Sequence, residues 1–193
     1  MKRSARKILI VLAYLALALG LCGCSLETSA ENLFTLPQVP VEYTGLANTL
    51  NTYLESGYEY ITPSSGNNIQ SLQMIDMDGD GEKEAVAFFR HTADDNPLKI
   101  LFFREENGTF SLYSTIESGG SSIDSVSFRD FNGDGRLEVV VGWRVSTEVQ
   151  TVAVYELVPN QVNMLMQSGY LRYVVDDLDS DGWFDLLLIR SEA

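Results

Sequence analysis

Cysteine is almost absent from this 193-residue chain, and the two present, Cys22 and Cys24, lie two positions apart near its start. A disulfide framework through the body of the chain is thereby excluded. Histidine is rarer still, with His91 alone. Metals that select thiolate or imidazole therefore find no ligand set here. Basic residues are few as well: 13 Lys and Arg stand against 27 Asp and Glu, a formal net charge of −14. Such a surface repels phosphate backbones and anionic headgroups, so no nucleic acid is expected as a partner. Long apolar runs are missing too. Ile8–Leu21 spans 14 residues, short of the roughly 18 or more of a comfortable transmembrane helix.

That run suits a signal segment. Lys2, Arg3, Arg6 and Lys7 precede it, and Leu21-Cys22-Gly23-Cys24 follows it. A positive n-region and a short h-region are the marks of an export signal. Leu three positions before Cys24, with Gly just before it, resembles the lipobox of bacterial lipoproteins. The resemblance implies residues 1–23 as signal peptide and Cys24 as the lipidated first residue of the mature chain. It also implies a bacterial cell-envelope location, anchored by lipid outside the cytoplasmic membrane. An ordinary cleaved signal or an uncleaved anchor helix are the other readings. Cleavage before Cys24 leaves 9 basic and 27 acidic residues, a net charge of −18. Residues 24–43, with Pro37 and Pro40, read as a tether.

What the chain does have is one acidic loop written three times. The copies are Asp76-Met-Asp-Gly-Asp-Gly-Glu-Lys-Glu84, Asp130-Phe-Asn-Gly-Asp-Gly-Arg-Leu-Glu138 and Asp177-Leu-Asp-Ser-Asp-Gly-Trp-Phe-Asp185. Each carries an oxygen side chain at loop positions 1, 3, 5 and 9 and a Gly at position 6. Hard cations such as Ca2+ take about six to eight oxygen ligands, and this pattern supplies them. The candidate side-chain ligands are Asp76, Asp78, Asp80 and Glu84; Asp130, Asn132, Asp134 and Glu138; and Asp177, Asp179, Asp181 and Asp185. The position-7 backbone carbonyls of Glu82, Arg136 and Trp183 are expected to face the same centres. Gly81, Gly135 and Gly182 supply the positive φ that curls each loop. An EF-hand would need Glu at position 12, where Ala87, Val141 and Leu188 stand. Up to three Ca2+ ions are expected, each with a Kd of about 10^-4 to 10^-3 M. Asp/Gly turns without an ion are the bland alternative, but their acids would repel one another.

The flanks of the loops alternate with period two. Strands are expected at 69–75, 123–129 and 171–176 before the loops, and at 85–89, 139–143 and 186–189 after them. Two hairpins follow: 98–104 with 110–116 across Glu106-Asn-Gly108, and 152–158 with 162–167 across Pro159-Asn160. The loops start 54 and 47 residues apart, at 76, 130 and 177. Four short strands at that period describe a propeller blade. The pattern Asp-x-Asp/Asn-x-Asp/Asn-Gly-x-x-Asp/Glu resembles the FG-GAP and VCBS repeat families, over residues 69–193. Ser180 in place of Gly, Asn132 in place of Asp, and the lack of a Phe-Gly-Gly-Ala-Pro signature bring the chain nearer the VCBS side. The expected fold is all-β: an incomplete propeller-like array of about two and a half four-stranded blades, with units 69–122, 123–169 and 170–193. One short helix lies in 44–68, where Thr44 caps, Leu46, Leu50, Tyr53 and Leu54 form one face, and Gly57 stops it.

The resemblance implies a surface-displayed, calcium-stabilised binding or scaffold module for a protein or glycan, with self-assembly possible through an open strand edge. A glycan-active enzyme component is the alternative, as is a fragment of a larger propeller. Catalytic motifs are wanting. Ser121, Ser122 and Asp124 would need a nearby base, and there is no nucleophile elbow. His91 with Asp94 and Asp95 reads as a solvated loop. Trp143 and Trp183 are either packing residues or platforms for sugar.

Overall fold

The computed structural model describes residues 43–158 and 161–190. The signal segment, Cys24, nearly all of the tether and the Pro159-Asn160 turn lie outside the described residues. Helix α1 (Thr44–Glu55) is followed by eleven strands: β1 (Glu59–Tyr60), β2 (Leu72–Ile75), β3 (Glu84–Arg90), β4 (Leu98–Glu106), β5 (Thr109–Ser118), β6 (Ser122–Arg129), β7 (Glu138–Arg144), β8 (Gln150–Val158), β9 (Gln161–Gly169), β10 (Arg172–Asp176) and β11 (Asp185–Ile189). All pairing is antiparallel. β2-β3-β4-β5 and β6-β7-β8-β9 are two four-stranded meanders, and β10-β11 is a two-stranded half. This is the all-β, two-and-a-half-blade, propeller-like arrangement expected from the loop spacing.

The three sheets and the helix are stacked in layers, and strand parity assigns each side chain to a layer. In β3, Ala85, Ala87 and Phe89 face α1 and pack with Leu46, Leu50, Leu101, Phe103 and Phe110. Their neighbours Val86 and Phe88 face the second sheet and pack with Val126, Phe128, Val139, Val141 and Trp143. From β7, Val140 faces the third sheet and packs with Tyr173, Val175, Leu186 and Leu188. Side chains on a strand alternate between faces. Positions 10 and 12 counted from each loop start therefore face the preceding layer, and position 11 faces the following one. A strand covered on both faces loses its alternation, and β3 and β7 are buried from end to end except for one final residue each.

The two full sheets also share an irregularity. The β4–β5 register slips between Phe102 and Phe103, and the β8–β9 register slips between Val154 and Tyr155, 52 residues later in each case. A bulge that recurs at one repeat position twists both outer hairpins alike. Asn107 and Gly108, at φ 54° and 80°, make the β4–β5 turn, as the Asn-Gly pair predicts for a type I′ hairpin.

Several expectations shift. Thr44 is the first helical residue, and the N-cap position is Tyr43 without a side-chain cap. The helix is held at its other end. Gly57, at φ 92°, donates its N–H to Leu54 C=O, and Tyr58 N–H bonds Tyr53 C=O. That pair of bonds is a Schellman motif, and the rings of Tyr53 and Tyr58 close it edge to face at 5.2 Å. Leu54 is partly exposed, because α1 meets the sheet through Leu46 and Leu50. The first strand is shorter than 69–75; residues 64–68 instead run along the free edge of β6, where Ser64 and Ser65 N–H groups bond Ile123 and Asp124 C=O. β1 carried no sequence signal: two residues extend the sheet beside Phe89 and Arg90.

Leu50 is 2 % exposed at the centre of the helix-to-sheet layer. Leu50→Ala is expected to cost about 3 kcal/mol by urea denaturation, with loss of the helical signal first.

Candidate functional site

All three loops lie at the β2–β3, β6–β7 and β10–β11 connections, and one hydrogen-bond plan recurs in them. Position 9 reaches back to the position-2 amide: Met77 N–H donates to Glu84 Oε2 at 2.9 Å, Phe131 N–H to Glu138 Oε2 at 2.8 Å, and Leu178 N–H to Asp185 Oδ2 at 3.1 Å. Position 1 accepts from the glycines: Gly79 and Gly81 N–H on Asp76, Gly133 and Gly135 N–H on Asp130, and Gly182 N–H on Asp177. Position 5 accepts from position 7: Glu82 N–H on Asp80 and Arg136 N–H on Asp134, both at 2.8 Å, and Trp183 N–H on Asp181 at 2.9 Å. Each loop is thus wound around its own carboxylates.

The winding brings acids together. Carboxylate oxygens of Asp76, Asp78 and Glu84 lie within 4.8 Å of one another, and so do those of Asp177, Asp179 and Asp185. These two clusters can hold a metal ion. Asp80 and Asp181 stand outside them, occupied with their Asx turns. In the second loop the Asn132 amide donates to Asp134 at 3.1 Å and to Glu138 at 3.4 Å, so an NH2 group bridges the two carboxylates. Turning that amide over would present an oxygen instead.

The electrostatics of the loops would suit a cation. Burial, and then the neighbouring Asp78, push the Glu84 carboxyl above its ordinary value against the pull of the Met77 N–H and Arg104. Burial, with Asp134 and Asp130 behind it, does the same to Glu138. Asp130 also bears a burial cost, but the amides of Gly135, Gly133 and Asn132 outweigh it and hold it below. Asp78 Oδ1 is buried with no hydrogen-bond partner. Unpaired buried oxygens are costly, and a bound ion relieves the cost. The first loop has a cation of its own, which sequence inspection missed: Arg104 of β4 hydrogen-bonds Asp78 Oδ2 and lies 3.3 Å from Glu84 Oε1. Its counterpart 52 residues on is Glu156, so this guanidinium belongs to one unit only.

The loops also touch in sequence order. Leu137 N–H donates to Met77 C=O at 2.8 Å. A Cβ on Gly79 would stand 2.6 Å from Gly135 O, and one on Gly133 would stand 1.9 Å from the Trp183 ring. Position 4 must therefore be Gly wherever the next loop lies on it. At Ser180, which keeps the left-handed backbone at φ 62°, no following loop exists among the described residues. The departure from the repeat pattern thus has a steric reason. Trp143, by contrast, is 2 % exposed and donates Nε1–H to Tyr155 Oη at 3.2 Å; it is a packing residue, not a platform. Trp183 is half exposed. His91 is a loop residue after β3, as expected, and is partly exposed. It stacks on Tyr58 at 4.5 Å and pairs with Asp94, which also pairs with the buried Lys99.

A second feature lies between β6 and β10. A cleft of about 540 Å3 is lined by Asn67, Asn68, Ser127, Arg129 and Tyr170, among others. Ser127 lines it at the repeat position that holds Gln73 in the first sheet, while Gly142, at the position of Phe88, leaves room that Tyr170 and Tyr173 fill. Asp124 anchors its wall, 3.0 Å from Arg144 and 3.3 Å from Tyr170 Oη, and Ser125 Oγ and Tyr173 Oη are 2.7 Å apart. Burial, and then Asp124, raise both tyrosines. Ser127 Oγ is buried without a partner.

Layered antiparallel sheets, each with an acidic loop between the first two strands of its repeat, define a propeller-like β-repeat protein. Residues 76–141, from the first loop into the strand after the second, match the family model of the FG-GAP-like repeat. No curated protein and no solved structure matches the chain.

Gly79→Ala is expected to destabilise by at least about 2 kcal/mol, since it adds both a left-handed penalty and a backbone clash. Ser180→Gly is expected to be neutral or stabilising by up to about 1 kcal/mol. Paired urea melts check the contrast.

Proposed function

We propose that the chain is a calcium-stabilised β-repeat binding or scaffold module, displayed on a bacterial surface and held there by lipid on Cys24. The observation that carries this reading is the convergence of Asp76, Asp78 and Glu84 with one buried Asp78 oxygen left unpaired. Oxygen-only donors in a tight loop suit Ca2+ better than softer metals. The position-7 carbonyls of Glu82, Arg136 and Trp183 would complete the three shells. An ion at each loop would tie the strand before it to the strand after it, which matters in an exported domain without disulfides. Arg104 makes the first loop the least dependent on metal. The cleft between β6 and β10 favours a glycan over a flat protein epitope, because amides, the Arg129 guanidinium and a tyrosine converge there in one concavity.

At tenfold excess over Kd each ion adds about 1.4 kcal/mol. EGTA is expected to lower the melting temperature by about 10 °C, with calcium restoring it. Metal analysis should count up to three ions per chain. An unchanged melt with no bound metal would rule the calcium reading out.

Arg104→Ala is expected to deepen the EGTA effect, because the first loop then has only the ion to neutralise it. Thermal melts with and without EGTA read the difference.

A further inference from the structure

The layer rule leaves one face unaccounted for. Loop position 2 faces the following layer: Met77 is buried against the second sheet, and Phe131 packs toward the third. In the third unit the same position is Leu178, and the following-face positions of β11 are Leu187 and Ile189. All three are 49 % exposed. Their counterparts Met77, Val86 and Phe88 are at most 3 % exposed, because a sheet lies over them. Val174 of β10 pairs with Leu187 and shares this face. Contiguous apolar groups of this kind mark an interaction surface. The opposite end of the stack is closed, since α1 covers the first sheet.

We propose that the outer face of β10–β11 is a two-fold interface with a second copy of this chain. Two features of the face select that occupant. It is charged oppositely at its two ends, with Arg172 beside Ile189 and Asp176 beside Asp185 across the β10–β11 pair. Arg172 and Asp176 lie four residues apart on one strand, about 13 Å, too far to pair within one copy. A two-fold axis through Val174 and Leu187 sets Arg172 of each copy toward Asp176 of the other. The surface is thus self-complementary, as an isologous interface requires. Closure of the far end by α1 stops growth after two copies, whereas an open repeat would extend into a fibre. The interface rests on sheet packing and does not require the calcium reading.

Light scattering on the full chain in detergent, corrected for bound detergent, tests it. The expected protein mass is that of a dimer. Leu187→Glu is expected to give monomers that keep the β-sheet spectrum. Arg172→Glu and Asp176→Arg, each alone, are expected to raise the dimer Kd about tenfold by setting like charges together. Mixing these two variants should restore dimers, since each mixed pair carries two opposite-charge contacts. A monomeric wild-type chain, an assembly larger than a dimer, or a mixture no tighter than its parents would overturn the proposal. If Leu187→Glu fails to fold, the mixing experiment still decides. Metal content, measured on the same samples, reports on the calcium reading separately.

Discussion

One hydrogen bond organises each unit: the position-9 carboxylate accepting the position-2 backbone N–H. Met77 N–H on Glu84 is the first instance. This contact closes the loop on itself and sets the entry of the next strand. It also turns the position-2 side chain away from its own sheet and into the following layer, where Met77 is buried. A charged group is thereby held at a sheet junction, with Glu84 and Glu138 each 2 % exposed. Burying a carboxylate is costly unless hydrogen bonds or a cation balance it. The architecture and the acidic cluster that could hold a cation therefore depend on the same residue.

The layers are not equivalent, and the differences lie where function is expected. Between the first and second sheets the interface is filled by Phe88, Phe102, Phe128 and Trp143. Between the second and third, Gly142 and Ser127 leave space, and Tyr170 and Tyr173 enter it with their hydroxyls tied to Asp124 and Ser125. A packed interface gives rigidity, and a polar, partly filled one gives a cleft. The loops follow the same gradient. Two close over a buried Glu, while Asp185 closes the third in the open, where no further layer covers it among the described residues.

Much of this was legible before any coordinates. Acid spacing located the loops, and their 54- and 47-residue separation set the blade period. The Asn107-Gly108 turn and the Gly57 stop were plain from residue type. Other features were hidden for physical reasons. Arg104 lies 20 residues from Glu84 in sequence, and nothing local marks a side chain that crosses a sheet. β1 is two residues long and has no periodicity to detect. Trp143 and Trp183 look alike in sequence, yet one is sealed in a sheet interface and the other lies over Gly133. The helix start differs by one residue, with Thr44 the first helical position and Leu46 and Leu50 packing that end against the sheet.

The sequence by itself determined what depends on neighbours along the chain: the loop chemistry, the turn glycines, the strand period and the overall acidity. Backbone sterics and ligand spacing act over a few residues, so they can be read in one dimension. Only the tertiary structure decided which face of each strand meets which layer, why Gly79 and Gly133 tolerate no Cβ while position 180 accepts Ser, and which apolar face remains uncovered. Those properties depend on contacts between units some fifty residues apart in the chain, where layer stacking, not local preference, sets what each side chain touches.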